Sequence, residues 1–232
     1  MMELDDLNTI KLKGLTDRYV YNGVYVPRVT NILSKTIHED YLMQWSNSLG
    51  FKRKSYTKTL NAAADYGTKS HKGVELYLKG LPIPEGTPTN PINGFIKWWN
   101  LINSNNKITI IHQEYALTCP WFGGTYDMLL EINGKIYLVD FKTSNHLSYK
   151  YCLQLAAYNY MLKFNKIANI SGIIILQLKK ETPDFNEFVL NLDNSNHANF
   201  FNHCENTFLS LVYSYYHILE AEQLYKSLGE GE

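Results

Sequence analysis

The sequence has little cysteine. Cys119, Cys152 and Cys204 lie far apart, and no two of them form a CxxC pair. This spacing encodes neither a disulfide framework nor a zinc knuckle, and a reducing compartment is the simplest interpretation. Three cysteines are also too few for a four-cysteine iron–sulfur cluster, so we expect none.

Net charge is absent as well. The 22 lysine and arginine residues balance 22 aspartate and glutamate residues. A polyanion would therefore have to be held by a local basic patch and not by the field of the whole molecule. No GxxxxGK[ST] motif is present, so we expect no ATP-dependent step.

Long hydrophobic runs are missing. The longest purely aliphatic run, Ile173 to Leu176, is far shorter than the roughly 20 residues that span a membrane. The acidic amino terminus carries no apolar or arginine-rich targeting segment. We therefore expect a soluble, cytoplasmic protein without a membrane partner.

What the sequence does contain is typical of one packed globular domain. It has 232 residues, of which 45% are hydrophobic and 14% aromatic, and this excludes disordered, collagen-like and coiled-coil chains. No internal repeat, low-complexity tract or linker divides it. We expect a single domain over residues 1–232, with an N-terminal hairpin and helical region (1–106), a central sheet (107–190) and a C-terminal helix (191–232).

The order of the sequence patterns predicts a mixed α/β fold. Asn22-Gly23 and Asn133-Gly134 are type I′ turn pairs, and β-forming residues flank both. The second turn joins two strands of a three-strand block that follows an amphipathic helix, and a helix and an apolar strand come next. The resulting αβββαβ core is a mixed sheet with helices on both faces, followed by a closing helix from about Asn196 to Lys226.

The hairpin around Asn133-Gly134 brings acidic residues together. If the turn is tight, Asp127 stands opposite Asp140, and Lys142 projects from the same face because side chains alternate along a strand. The opposite face is apolar and carries Tyr126, Met128 and Leu130.

Two facing carboxylates require a cation between them. Their Cβ atoms would lie about 4.5–5.5 Å apart, which is unfavourable in a half-buried sheet. A hard divalent ion such as Mg²⁺ is bound by oxygen ligands of this kind. The alternative stays open that the acids lie on a solvated surface hairpin and pair only with Lys142.

Motifs around this hairpin resemble the PD-(D/E)XK nuclease superfamily. They are GGTYD on the first strand, DFKT on the second, and Gln154 and Tyr158 one turn apart on the following helix. The resemblance is closest to the RecB-like and phage exonuclease branch, which includes the mitochondrial genome maintenance exonuclease and has a helical histidine, here His71 in GTKSHKGVE. It covers about Tyr25 to Tyr160, although Arg28 stands where the family usually has serine. It implies a restriction-endonuclease-like sheet with an N-terminal helical arch.

The resemblance also implies residue roles. Asp127 and Asp140 would bind one or two Mg²⁺ or Mn²⁺ ions, together with His71 and the backbone carbonyl of Phe141. Lys142 would orient the attacking water and neutralise charge on the phosphate. Asp127, Asp140 and Lys142 would then be the catalytic set.

Further candidates surround this set. Glu114, on the preceding strand, would add a third carboxylate to the metal site. The hydroxyls of Thr143 and Ser144 would donate to a phosphate, and Gln154 and Tyr158 would contact substrate or brace the lysine. Phosphate contacts would come from the basic segment Lys52, Arg53, Lys54 and Lys58, with Lys179 and Lys180 as a second candidate. Ordinary helix packing or a solvated loop is the plain alternative for these substrate-binding candidates.

These expectations indicate a metal-dependent DNA nuclease, and in particular an exonuclease acting on single-stranded or duplex DNA ends in phage or bacterial recombination, repair or replication. A single-strand-binding or recombination protein would be its natural partner, and no oligomeric state is predicted. Two alternatives stay open: a non-catalytic DNA-binding or assembly subunit that keeps the nuclease fold, and a structure-specific endonuclease. The complete set of Asp127, Asp140 and Lys142 argues against the non-catalytic subunit.

Overall fold

The structure is a computed structural model that describes residues 4–10, 19–37, 46–47, 50–53 and 55–229. Its helices are α1 (Val29–Thr36), α2 (Tyr56–Leu78), α3 (Thr89–Asn105), α4 (Lys150–Phe164) and α5 (Ser195–Gly229), and a short 3₁₀ helix spans Leu4–Thr9. Its strands are β1 (Val20–Tyr21), β2 (Val24–Tyr25), β3 (Ile108–Thr118), β4 (Gly123–Ile132), β5 (Lys135–Lys142), β6 (Gly172–Leu178) and β7 (Phe185–Asn191). Most of the predicted arch between α1 and α2, including Lys54, lies outside the described residues.

Five strands form one mixed sheet in the order β3-β4-β5-β6-β7. The β3–β4, β4–β5 and β6–β7 pairs are antiparallel, whereas β5 and β6 are parallel. A parallel pair needs a crossover connection, and α4 lies in the connection between β5 and β6. The order α3-β3-β4-β5-α4-β6 is the predicted αβββαβ core, so the mixed α/β fold class is confirmed.

The Asn133-Gly134 turn sets the register of the β4–β5 hairpin. Its two residues have φ angles of 52° and 80°, the positive values that both central positions of a type I′ turn require. Asparagine and glycine adopt such angles at low cost. The hairpin therefore has the predicted register, from Ile132–Lys135 to Met128–Val139.

The β4–β5 ladder stops one residue short of the acidic pair. Met128–Val139 is its last pair, and Asp127 and Asp140 follow it without being a ladder pair themselves. Beyond this point the backbone N–H of Phe141 donates to Asp127 Oδ2 at 2.6 Å. The Asp127 side chain thus accepts a hydrogen bond from a β5 backbone N–H just beyond the end of the ladder.

Side-chain alternation in β4 is interrupted at the same residue. Met128 and Leu130 pack with Phe95 and Trp98 on one face of the sheet, whereas Tyr126 packs on the opposite face against α4. The predicted placement of Tyr126 beside Met128 and Leu130 is therefore wrong. Period-two alternation holds only along a regular strand, and the strand is irregular at Asp127.

Both faces of the sheet are covered by helices. One core lies between the sheet and α1, α4 and α5 and includes Leu129, Leu138 and Ile173. The other core lies between the opposite face and α2 and α3. The predicted helices on both faces are confirmed. Among the described helices, none is long and apolar enough to cross a membrane.

The three cysteines are buried and free. Burial raises the pKa of the thiols, to about 12 for Cys119 and Cys152 and to about 11 for Cys204. Thiols with such values stay protonated and unreactive at neutral pH.

Candidate metal centre

Three side chains from three elements converge beyond the end of the β4–β5 ladder. They are His71 of α2, Glu114 of β3 and Asp127 of β4, and one ligand atom of each lies within 4.8 Å of the others. Within the described ranges, this is the one group of three such ligands with that spacing. The carboxylate oxygens suit Mg²⁺ or Mn²⁺, and the imidazole nitrogen favours the transition metal Mn²⁺ of the two.

Asp127 is held in its ionised form. Its Oδ1 lies 3.2 Å from His71 Nδ1, and its Oδ2 accepts the backbone N–H of Phe141. Burial raises the pKa of Asp127, but the charges of His71 and Lys142 and these hydrogen bonds outweigh burial and lower it. A metal ligand must be deprotonated, and Asp127 meets that requirement at neutral pH.

His71 carries a proton towards Asp127. Burial lowers the pKa of His71, but the charge of Asp127 and the hydrogen bond to it raise the pKa to about 9. The ring also lies edge-on to the ring of Phe141, with centroids 5.9 Å apart. These contacts fix the direction of the imidazole, so a cation bound at Asp127 would replace the proton.

Glu114 has a strained backbone. Its φ angle is 47°, in the left-handed region that residues other than glycine rarely adopt. In the β3–β4 ladder, Glu114 and Asp127 lie between the pairs Gln113–Met128 and Tyr115–Tyr126 without being a pair themselves. Burial and the charge of Asp127 raise the pKa of Glu114 to about 7. Backbone strain beside a shifted carboxylate is typical of a residue held in place for function.

The buried Asp140 and the partly buried Lys142 form an ion pair beside this group. Lys142 Nζ donates to Asp140 Oδ1 at 2.8 Å and lies 2.7 Å from Oδ2. Burial, followed by the charge of Asp127, raises the pKa of Asp140 to about 6 even with Lys142 next to it. Asp140 is thus close to the metal ligands, but its carboxylate faces the lysine.

Helix α4 braces Lys142. Gln154 Oε1 lies 3.1 Å from Lys142 Nζ and accepts its hydrogen bond, while Gln154 Nε2 donates to the Tyr158 hydroxyl at 2.9 Å. The ammonium also lies 4.7 Å from the centre of the Tyr151 ring, a cation–π contact. Tyr151 was not predicted from the sequence, although it precedes Gln154 by three residues and so shares its helix face.

The residues after Lys142 continue along the site. Thr143 is buried, and the Ser144 hydroxyl donates to the His146 carbonyl at 2.9 Å and accepts from Tyr151 at 3.0 Å. The hydrogen of Ser144 is therefore already used inside the protein. The Phe141 backbone N–H donates a hydrogen bond to Asp127, and the Phe141 side chain packs in the core between the sheet and helices α2 and α3.

Two clefts open from the centre, and His71 and Lys142 line both. The larger, the acidic cleft, has a volume of about 660 Å³ and is also lined by Thr30, Ala64, Gly67, Thr68, Lys72, Glu75 and Glu114. The smaller, the basic cleft, has a volume of about 310 Å³ and is also lined by Leu60, Ala63, Ala64, Phe141, Thr143, Ser144 and Lys180. Thr30 and Thr68 were not predicted as site residues from the sequence, because distant elements bring them to the cleft.

The basic segment lies apart from the centre. Lys52, Arg53 and Lys58 are exposed, and Lys54 lies outside the described residues. Lys58 is in the first turn of α2, about 20 Å from His71 along the helix axis at 1.5 Å per residue. A contact between this segment and a nucleic acid would therefore be several nucleotides away from the centre.

Glu75 faces the acidic cleft but is held by lysines. Lys72 and Lys79 donate to its carboxylate at 2.8 and 2.6 Å. These two hydrogen bonds lower the pKa of Glu75. Its negative charge is thereby offset, unlike that of Glu114.

The donor set fits a divalent cation. Both carboxylate oxygens of Asp140 lie within 2.8 Å of the Lys142 ammonium, so the oxygens that face His71 are those of Glu114 and Asp127. The charge of Asp127 disfavours ionisation of the nearby Glu114. A divalent ion between these oxygens and His71 would remove that repulsion, because opposite charge favours the ionised forms.

No protein-family model and no curated protein matches this chain. Among solved structures, the chain is similar to SSO0001 with a TM-score of 0.37 and 15% identity, over 87% of this chain and 82% of that one. It is also similar to an alkaline exonuclease, LHK-Exo from Laribacter hongkongensis, with a TM-score of 0.40 and 11% identity, over 86% of this chain and 93% of that one. Both TM-scores and both identities are low, so neither likeness assigns an activity to this chain.

Proposed function

We propose that the chain is a Mg²⁺- or Mn²⁺-dependent nuclease that hydrolyses phosphodiester bonds in DNA, and that it acts as an exonuclease on DNA ends. The observation that carries the proposal is the convergence of His71, Glu114 and Asp127 within 4.8 Å beside the partly buried Lys142. Metal ligands next to a fixed ammonium at the meeting point of two clefts are the parts that phosphodiester hydrolysis requires.

The ligands for the ion come from this group. His71, Glu114 and Asp127 would hold it, and Asp140 lies beside them. A bound divalent ion supplies Lewis-acid stabilisation of the phosphate and lowers the pKa of a bound water.

Lys142 acts as a permanent cation in this proposal. Burial lowers the pKa of Lys142, but the charges of Asp140 and Asp127 raise it by more. The side chain therefore stays protonated and cannot be the general base. It orients the attacking water and neutralises the charge that grows on the phosphate oxygens, while Asp140 and Gln154 keep its ammonium in place.

The biological setting follows from the same chemistry. DNA ends would be processed in recombination, repair or replication in a bacterial or phage-infected cell, in company with a single-strand-binding or recombination protein. Three buried, free thiols support a reducing cytoplasm as the compartment.

Digestion of labelled DNA tests the proposal. Linear DNA labelled at either the 5′ or the 3′ end is incubated with Mg²⁺ or Mn²⁺, beside circular single-stranded DNA and an EDTA control. We expect loss of linear DNA only with metal, intact circles, and no digestion by Lys142→Ala. Lys135→Ala, at the exposed far end of the same strand, is the matched control and should digest normally.

Each other outcome selects an alternative. Nicked circles would indicate an endonuclease. Bound but undigested DNA with both metals would indicate a non-catalytic DNA-binding or assembly subunit, and would overturn the proposed activity.

A further inference from the structure

The two clefts that open from the centre differ in charge. The acidic cleft has two carboxylates among its lining residues, Glu75 and Glu114. The basic cleft is lined by His71, Lys142 and Lys180, and none of its described lining residues is acidic. Lys72, His71 and Lys142 also line the acidic cleft and offset its carboxylates, so it is the basic cleft that presents cations to a phosphate-bearing strand without a carboxylate beside them.

Lys180 is held in position at the basic cleft. Its ammonium lies over the ring of Tyr66 of α2, 5.3 Å from the ring centre. Its backbone carbonyl accepts the side-chain amide of Asn90 at 2.8 Å, which ties the end of β6 to α3. A cation placed by an aromatic ring and an anchored backbone loses less conformational freedom when it binds an anion than a free surface lysine does.

The remaining lining of the basic cleft suits the rest of a nucleotide. Leu60, Ala63, Ala64 and Phe141 present apolar surface, and Thr143 adds a hydroxyl group, whereas the Ser144 hydroxyl donates to the His146 carbonyl. The volume of about 310 Å³ lies at the lower end of the range for small-ligand sites, about 300–1,000 Å³. One nucleotide unit is a ligand of this class, with an anionic phosphate and an apolar base and sugar face.

We infer that the basic cleft is a subsite for the nucleotide next to the scissile phosphate, and that Lys180, positioned by Tyr66, binds the phosphate of that nucleotide. This inference rests on the proposed function, because it names where the DNA strand of that reaction lies. Lys180 would bind the DNA strand and take no part in the hydrolysis step, because the ammonium next to the metal ligands belongs to Lys142.

Salt-dependent binding tests the subsite without cleavage. The full chain is titrated with a fluorescein-labelled oligothymidylate in EDTA, and anisotropy gives the association constant over a range of salt concentrations. Each phosphate contact to single-stranded DNA contributes about 0.7 to the slope of log K against log salt. We expect Lys180→Ala to reduce the slope by about 0.7 and to weaken binding about fivefold near 0.1 M salt.

Matched variants separate this contact from a general loss of positive charge. Lys107→Ala removes an exposed lysine directly before β3, which does not line the basic cleft, and should keep the wild-type slope. Lys180→Arg should keep it as well. Tyr66→Phe retains the ring and should bind normally, whereas Tyr66→Leu should weaken binding in the same direction as Lys180→Ala.

The outcomes distinguish this inference from the proposed activity. A wild-type slope in Lys180→Ala, or the same loss in Lys107→Ala, overturns the subsite even if the protein digests DNA. A reduced slope confined to Lys180→Ala and Tyr66→Leu supports the subsite even if no metal gives digestion. A wild-type protein that does not bind the oligonucleotide overturns the subsite, whereas digestion with metal alone decides the proposed activity.

Discussion

His71 Nδ1 lies 3.2 Å from Asp127 Oδ1, and this contact links α2 to β4 at the point where the β4–β5 ladder has ended. In the absence of metal the imidazole proton occupies the space between the two side chains. Asp127 raises the pKa of His71 to about 9, against the effect of burial. Metal binding and proton loss are therefore coupled at this contact.

We expect the affinity for Mn²⁺ to rise steeply with pH between about 6 and 9. Both His71, with a pKa of about 9, and Glu114, with a pKa of about 7, must lose a proton before they can bind the ion. At a pH below these pKa values, protons compete with Mn²⁺ for the two side chains, and at a higher pH this competition ends. Calorimetry in buffers of different ionisation enthalpy should detect release of roughly one to two protons near pH 7.

The pH dependence has its own control. His71→Ala should lower the affinity for Mn²⁺. Only the proton of Glu114 should then be released on binding. His203→Ala removes an exposed histidine of α5 and should bind Mn²⁺ like the wild type. An affinity that does not change between pH 6 and pH 9 would contradict the coupling.

Substitution of Glu114 should stabilise the metal-free protein while it weakens metal binding. Burial and Asp127 raise the pKa of Glu114 from 4.5 to about 7, so the wild type loses stability as pH rises through this range. Glu114→Gln removes the charge and should raise the free energy of unfolding by about 2 kcal/mol at pH 8 and by little at pH 5.

Glu114→Gly tests the backbone as well as the charge. Glycine adopts the φ angle of 47° without strain, so this variant should gain about 1 kcal/mol more than Glu114→Gln at pH 5, where charge matters least. Urea unfolding in EDTA measures both effects. Destabilisation of both variants at pH 8 would show that Glu114 serves the fold and not the ion.

Loss of Lys142 should destabilise the protein as well as stop hydrolysis. Lys142→Ala leaves Asp140 buried without its ion pair, which costs about 3 kcal/mol when a buried pair is broken. Loss of the lysine raises the pKa of Asp140 above its wild-type value of about 6, so the cost should shrink as pH falls towards 6, because Asp140 then takes up a proton. The double variant Lys142→Ala/Asp140→Asn should recover most of the stability in thermal melts but no activity, and failure to recover would contradict the ion-pair explanation.

The hairpin could be predicted from the sequence because its cause is local. An asparagine–glycine pair fixes both positive φ angles and hence the register from Ile132–Lys135 to Met128–Val139. The same reasoning failed one residue further on. The ladder ends before Asp127, and this ending depends on contacts with His71 and the backbone of Phe141 that no local pattern contains.

The candidate site shows the same division. The proximity of Asp140 and Lys142 follows from alternation along one strand and was predictable. The left-handed backbone at Glu114 and the placement of Lys180 over Tyr66 were not, because each depends on the packing of elements far apart in the chain. Tertiary contacts decide such positions, and a single sequence does not display them.

Gln154 is neutral and should position the Lys142 ammonium without changing its protonation state. Its Oε1 accepts the lysine hydrogen bond at 3.1 Å, and its Nε2 donates to Tyr158, which keeps the amide in one orientation. Gln154→Ala should lower kcat about tenfold to a hundredfold with little change in KM, because a mispositioned ammonium loses transition-state stabilisation more than ground-state binding. Tyr158→Phe removes only the outer hydrogen bond and should have a smaller effect of the same kind.

Steady-state kinetics on linear DNA separates this positioning role from a structural one. Gln223→Ala, on α5 away from the site, serves as the control for loss of a glutamine side chain. If Gln154→Ala raised KM and left kcat unchanged, Gln154 would contact the DNA directly. In that case Lys142 would be held by Asp140 and the Tyr151 ring alone, and the double variant Gln154→Ala/Tyr151→Leu should show no further fall in kcat beyond that of Tyr151→Leu.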